Sequence, residues 1–168
     1  MRAIIRNETA SDINAIETVT AQAFLNAEHS SHTEQFIVNA LRNAGKLSIS
    51  LVADVGGEVV GHVGASPVSI SGDVHGWYGL APVSVVPGRQ RQGIGGQLVS
   101  EALKRLRMQG ANGCVVLGDP KYYSRFGFKS EAMLILPGVP PEYFQALSFG
   151  ESMPSGAVSY HQAFEAVA

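Results

Sequence analysis

One segment constrains the fold more than any other: VSVVPGRQRQGIGGQLVSEAL, from Val83 to Leu103. An apolar, strand-like run stops at Pro87, a glycine-rich turn follows, and the turn opens directly into an amphipathic helix. Ile94, Leu98, Val99, Ala102, Leu103 and Leu106 form the apolar face of that helix, and Gln97, Glu101, Lys104, Arg105 and Gln109 the polar one. Gly110 is a fitting stop, since glycine enters the left-handed region without steric cost. The start of a helix leaves several backbone N–H groups without acceptors and places them at the positive end of the helix dipole. Gly93, Gly95 and Gly96 clear side chains from that end, so a bulky anion can approach the backbone. Phosphate or pyrophosphate is the ligand such a turn suits.

Two common nucleotide motifs do not fit this turn. A dinucleotide fingerprint needs a third glycine where Leu98 stands, and it follows an early strand with an acidic residue about twenty positions on. A P-loop needs Gly-Lys followed by Ser or Thr, and the chain contains no such run.

The 168 residues suit a single domain, 1–168, with one substantial core. Ala3 to Arg6 reads as a short strand. Thr9 and Asp12 stand in capping-box spacing ahead of Ile13, Ile16, Thr20 and Ala23, which predicts a helix to about Phe24. Ser31 and Glu34 repeat the pattern ahead of Phe36, Ile37, Ala40 and Leu41, a second helix that Gly45 stops. Ile49, Leu51, Ala53 and Val55 then alternate with more polar neighbours, as a half-buried strand does. Gly56-Gly57 makes a hairpin turn, and Glu58 to Ser66 returns as the second strand. His75 to Val86 is a third long strand, with Gly79 and Pro82 marking irregular pairing. Beyond the long helix, Gly113 to Leu117 reads as a short apolar strand, Lys121 to Phe126 as a short helix or turn, and Phe128 as the opening of another strand. A short helix is expected near Glu142 to Leu147 and a last strand near Val158 to Tyr160. This order predicts an α/β fold, a mixed sheet with helices on both faces.

The glycine turn resembles the acyl-CoA loop of the GNAT superfamily of N-acetyltransferases, Q/R-x-x-G-x-G/A. Gln90, Gly93 and Gly95 fill its three positions, and Val85-Val86-Pro87 matches its lead-in. The hairpin VADVGGEVVGHVG resembles the family's second and third strands, and a tyrosine ahead of Gly127-Phe128 completes the order. The resemblance covers Ile4 to Lys129, and the wording LGDPKYYSRFGF is most similar to the YhbS-like branch of that superfamily. It implies the GNAT acyl-CoA N-acyltransferase fold, with a mixed, mostly antiparallel central sheet and helices on both faces. It also implies acetyl-CoA as acyl-donor substrate and transfer of the acetyl group to an amine by direct attack in a ternary complex. The five histidines show neither H-x-x-x-H nor HExxH spacing, which predicts no metal. Backbone amides from Gln92 through Ile94 to Gly96 would hold the CoA pyrophosphate, with side-chain contacts from Arg91 and Gln92. The backbone of Val85 would pair with the pantetheine arm as an added strand, and the N–H of Val85 or Val86 would hold the oxyanion.

Transfer from a thioester to an amine needs a proton for the leaving thiolate. In GNAT enzymes a tyrosine four residues before the Gly-Phe pair often supplies it, and that position here is Tyr123. A phenol has a reference pKa of about 10 and a thiol about 8.5, so a neutral tyrosine can donate as the thiolate forms. Packing against the CoA arm is the alternative role for Tyr123 and the expected one for Tyr122. Ser124 is an adjacent hydroxyl for CoA. No carboxylate occurs between His75 and Val86, so the general base stays open among His75, Asp73, Glu28 and a water chain. Cys114, the one cysteine, sits in the apolar run GCVVL without a flanking histidine and reads as a buried small residue rather than a nucleophile.

Charge and composition narrow the partners. A formal net charge of -2 provides no strong basic field for nucleic acid. No run approaches the eighteen or so apolar residues of a membrane span, and the opening MRAIIRNETASDI is soon polar. A cytoplasmic monomer or homodimer, acting on acetyl-CoA and an amine acceptor, is the expectation. Acceptor selection is expected from the first two helices, the EHSSHTE connection between them, the Ser66 to Trp77 loop and the tail. A CoA- or acyl-CoA-binding sensor without catalysis, or an acyltransferase using a longer chain, are the competing readings of the same motifs.

Overall fold

The computed structural model describes residues 2–28 and 30–168. Strand β1 (Ile4–Asn7) leads through a 3-10 turn (Ala10–Asp12) into helix α1 (Ile13–Phe24). In that turn the Asp12 carboxylate accepts the Thr9 backbone N–H at 2.7 Å and pairs with Arg6 at 2.7 Å. Helix α2 (Glu34–Asn43) is followed by three long strands, β2 (Ile49–Val55), β3 (Glu58–Ile70) and β4 (Val74–Val85). Then come helix α3 (Ile94–Met108), β5 (Gly113–Leu117), the short helix α4 (Pro120–Tyr123), β6 (Leu134–Ile135), β7 (Phe144–Ser148) and β8 (Gly156–Ser159).

The strands pair in the order β1-β2-β3-β4-β5-β7, with β8 on β3 and β6 on β8. All pairings are antiparallel except β4 with β5 and β6 with β8. The alternation read in β2 sorts its side chains between two helical layers. Leu51, Ala53 and Val55 join Val63, Ala65, Leu80, Cys114 and Val116 in the core beneath Leu98, Val99, Ala102 and Leu106 of α3. Val52, on the other face, packs with Ile16 of α1 and Val38 of α2. Each fully buried Leu or Val contributes roughly 2 kcal/mol of apolar burial, so α3 is held to the sheet by several such increments. A further cluster, with Val68, Ile70, Trp77, Val115, Phe144 and Val158, fills the end of the sheet carrying β7 and β8.

Four local expectations are corrected. The second helix starts after Thr33, not Ser31: His32 is in the left-handed region (φ 60), so the chain turns once more before the helix. Ser30 rather than Ser31 then donates to Glu34, at 2.7 Å. Strand β3 runs four residues past Ser66, because its end stays paired with β4 through Pro67↔Tyr78, Val68↔Trp77 and Ile70↔Val74 and also takes β8 through Ser69↔Ser159 and Ile70↔Val158. The helix expected near Glu142 to Leu147 is a 3-10 turn (Pro141–Tyr143) and then β7, whose residues take the free edge of β5. Phe128 opens no strand; its neighbour Lys129 makes a single bridge to Ala146. Within the EHSSHTE connection, position 29 lies outside the described residues.

The feature that shapes the site is a fork. β4 and β5 are paired only at Trp77↔Gly113, Tyr78↔Cys114 and Gly79↔Val115. Past Gly79, β4 bulges: Ala65 opposes Leu80 and Val63 opposes Val83, which leaves Ala81 and Pro82 facing a single residue of β3. A bulge bends its strand, and Pro82 has no N–H to give a ladder. The two strands diverge from there, and the stretch of β4 from Leu80 to Val85 has no β5 partner.

Candidate active site

Ladder alternation determines what β4 offers the fork. Val86 N–H donates to Val60 C=O at 2.9 Å, so those two residues form a hydrogen-bonded antiparallel pair. The next pair, Gly61↔Val85, is then of the other kind, and the N–H and C=O of Val85 point away from β3 into the fork. Val83 shares that orientation. The Val85 C=O accepts the Gln90 side-chain amide at 2.9 Å, which ties the glycine turn to the strand. The expectation that either Val85 or Val86 N–H holds an oxyanion is thereby narrowed, because the Val86 donor is spent inside the sheet.

The turn reaches α3 through two residues with positive φ. Arg91 has φ 64 and Gly93, the N-cap, φ 87. A non-glycine residue held at positive φ costs on the order of 1 kcal/mol, and it points the exposed Arg91 side chain away from the core. The first helical hydrogen bond runs from Gln97 N–H to Gly93 C=O at 3.1 Å. The N–H groups of Ile94, Gly95 and Gly96 therefore precede the ladder, at the positive end of the helix dipole. Ile94 anchors the turn by burying its side chain in the core. A Cβ on Gly95 would stand 3.2 Å from Tyr122 Oη and 3.8 Å from Val85 Cγ2. β4, α3 and α4 thus converge on one point at the mouth of the fork.

α4 begins with Asp119, whose carboxylate accepts the Lys121 N–H at 2.9 Å. The turn that follows places Tyr122 and Tyr123 edge to face, 5.0 Å between ring centres. Tyr123 is the inner of the two. Its ring meets Phe128 at 6.0 Å and lies over Gly118. Burial, with Tyr122 and Cys114 adding to it, pushes the Tyr123 phenol up to about 12, so it is a neutral hydrogen-bond donor. Tyr122 is the outer one, with the Arg125 guanidinium 4.5 Å over its ring. Sequence reasoning gave Tyr122 only packing and passed over Arg125. The three-residue spacing of the two on a helical turn was the available signal. Ser124 is exposed, with its hydroxyl 3.5 Å from the Lys121 carbonyl.

The other residues weighed for chemistry are not gathered here. His75 is exposed and Asp73 lies in the preceding turn, both at the end of β4 opposite Val85. Glu28 is exposed between α1 and α2. Cys114 is fully buried, and burial pushes its thiol up, which keeps it protonated.

A buried polar network went unread in the sequence. His62, on the α1 face of β3, shares a 2.8 Å hydrogen bond between Nε2 and Ser50 Oγ. Ser50 also donates to Glu8, and Arg42 grips Glu8 through Nε and an NH₂ group, both at 2.8 Å. Burial lowers the His62 pKa to about 4, with Glu8 opposing the shift and Arg42 adding to it. The ring is neutral at pH 7. Its Nδ1, and the hydroxyls of Ser66 and Ser84, are buried without a hydrogen-bond partner among the described residues.

Fork and glycine turn together define a class of protein, transferases that grip an extended acyl carrier beside an open strand. The acetyltransferase (GNAT) domain matches residues 46–130, a span that includes β2 to α4, the fork and the turn. This chain belongs to the GNAT family of acetyltransferases. Within the family it is 36% identical over 96% of its length to the uncharacterized N-acetyltransferase YhbS of Escherichia coli strain K12, spanning 98% of that protein. Its structure superposes on the crystal structure of E. coli YhbS in complex with CoA with a TM-score of 0.90 and 35% identity, covering 100% of this chain and 94% of that one. A GNAT family acetyltransferase from Brucella melitensis, solved with acetyl-CoA, is 50% identical with a TM-score of 0.87, covering 96% of this chain and 97% of that one. The expected mixed, mostly antiparallel sheet flanked by helices is the observed architecture and that of these relatives.

Proposed function

We propose that this chain is an acetyl-CoA-dependent N-acetyltransferase working as one catalytic domain, in which an amine attacks the thioester directly while both substrates are bound. One observation carries this reading: a continuous run of backbone groups leads from the N–H groups of Ile94 to Gly96, past Val85 and Val83, to the apex of the fork at Gly79. The pyrophosphate rests against the start of α3, where Arg91 and Gln92 add side-chain contacts and Arg91 is the better phosphate partner. The amides of the pantetheine arm pair with the gap-facing groups of β4 as an added strand would. The thioester then lies inside the fork, beside Tyr123. The YhbS relative binds CoA and the Brucella relative acetyl-CoA, which supports the same donor here.

The chemistry follows from these placements. The lone pair of a neutral amine forms a bond to the thioester carbon, and the carbonyl electrons move onto oxygen, where a gap-facing N–H of β4 stabilises them. Collapse of the tetrahedral centre breaks the C–S bond. The departing sulfur takes the phenolic proton of Tyr123, and the proton lost by the attacking nitrogen passes through water to the Tyr123 phenolate oxygen and restores the phenol. The products are an amide and the free CoA thiol. Burial that keeps the phenol neutral also raises the basicity of a thiolate beside it, which favours the transfer of the proton to sulfur. The reading places the reaction in the cytoplasm, which agrees with a lone, buried and unpaired cysteine.

Thermal melts with CoA and acetyl-CoA, followed by thiol release from acetyl-CoA across a panel of primary amines, test the proposal. A ligand-dependent rise in melting temperature together with amine-dependent thiol release is the expected result. Absence of binding would overturn it. Binding without turnover by any amine would leave a CoA-binding sensor in its place.

A further inference from the structure

The far end of the fork is closed by a residue from the tail. Tyr160 directly follows β8, and its ring lies against Gly79, where a Cβ would collide with Tyr160 Cε1. The same Cβ would stand 3.0 Å from Tyr160 Cδ1 and 3.2 Å from Val68 Cγ1. Gly79 is the last residue of β4 paired with β5, so the ring covers the apex where the strands part. Only a residue without a side chain leaves room for an aromatic ring there.

The ring is held from both sides. Ahead of it, β8 is paired with β3 through Ser69↔Ser159 and Ile70↔Val158. Behind it, His161 Nδ1 accepts the Ala163 N–H at 3.0 Å, and Ala163 is buried with Ile37 and Leu41 of α2. Phe164 backs the ring at 4.9 Å between centres. Burial pushes the Tyr160 phenol up, and Cys114 of β5 and Tyr123 add to that shift, so its hydroxyl stays protonated.

We infer that Tyr160 sets acyl-chain length: its fixed ring on Gly79 ends the acyl cleft just beyond an acetyl group and refuses longer chains. This rests on the donor reading given above. A chain entering along β4 from Val85 runs toward Gly79 and meets the ring. Adding methylenes there means moving a side chain anchored by a strand and a buried turn, and packed interiors resist such additions.

The test needs no acceptor. Dissociation constants are measured for CoA, acetyl-CoA, butyryl-CoA and hexanoyl-CoA with the wild type, Tyr160→Phe, Tyr160→Leu and Tyr160→Ala. The wild type and Tyr160→Phe, which keeps the ring, are expected to bind hexanoyl-CoA about tenfold or more weaker than acetyl-CoA, in line with the cost of overpacking. Tyr160→Ala, or Tyr160→Leu should the alanine variant lose its fold, is expected to erase most of that gap while binding CoA unchanged. Equal affinity for all chain lengths in the wild type, or an unaltered preference after removal of the ring, would overturn the inference. Failure of the wild type to bind even CoA would instead sink the donor assignment.

Discussion

His62 has been placed where a proton is expensive. Its folded pKa of about 4 lies below the usual histidine value, so the native state prefers the neutral ring. The stability this carries is complete above about pH 6.5 and is lost as pH falls toward 4, amounting to about 2 kcal/mol by pH 5. Glu8 is held below the usual carboxylate range by Arg42 and Ser50 against the burial that opposes them, and its contribution has the same sign at still lower pH. Arg42 is the other charged group facing this network. Urea titrations at pH 7 and pH 5 should show the loss, and His62→Gln should remove most of the difference between them. Equal midpoints for the native protein would mean the ring titrates freely. Tyr123 is the second residue whose environment implies a role. Tyr123→Phe should lower kcat by about 10² or more, the scale of a lost general acid, and leave the Kd for CoA unchanged. Unaltered turnover across the pH range would leave the ring as packing alone.

Among the elements, α3 carries the proposed pyrophosphate site at its first turn. Gly95→Glu puts a carboxylate where the helix dipole favours an external anion, and its Cβ would press on Tyr122 Oη. CoA binding should fall at least about 100-fold, the effect of like charge added to a steric block, with the melting temperature of the ligand-free protein little changed. Calorimetry on the variant reads both. This turn was legible because its determinants are local: Pro87, Gly93 and the apolar period from Ile94 to Leu106 all lie in one continuous stretch of chain. Gly113–Leu117 was equally legible, as an apolar run closed by Gly118. β7 was not. EYFQAL contains good helix formers, and what made it a strand was the vacant edge of β5, which no local pattern announces. The same reason hid part of the end of β3, which pairs with the neighbouring β4 but also with β8, remote in the chain. Tyr160 and the Glu8–Ser50–His62 network escaped for the same cause. Each depends on contacts between distant strands, and in the sequence they are a lone tyrosine and a lone histidine.

On the scale of the whole molecule, two sub-assemblies share one sheet. β1 to β4 form an antiparallel block and β5 with β7 another, and three parallel pairs at Trp77, Tyr78 and Gly79 join them, with β8 linking the tail to β3. Between the blocks, Val83 and Val85 present amide groups that no other strand answers. A bare strand margin of this kind is a template for any extended polypeptide, and natural sheets usually guard it with charge or proline. In the proposed reading the carrier molecule itself would be the guard, so the supply of CoA thioesters would govern how readily this margin pairs with another chain. Light scattering during slow heating should register this: turbidity should appear at a higher temperature with saturating CoA than without, by more than the shift in melting temperature alone. Coincident shifts would show that the strand margin is harmless until the fold is lost.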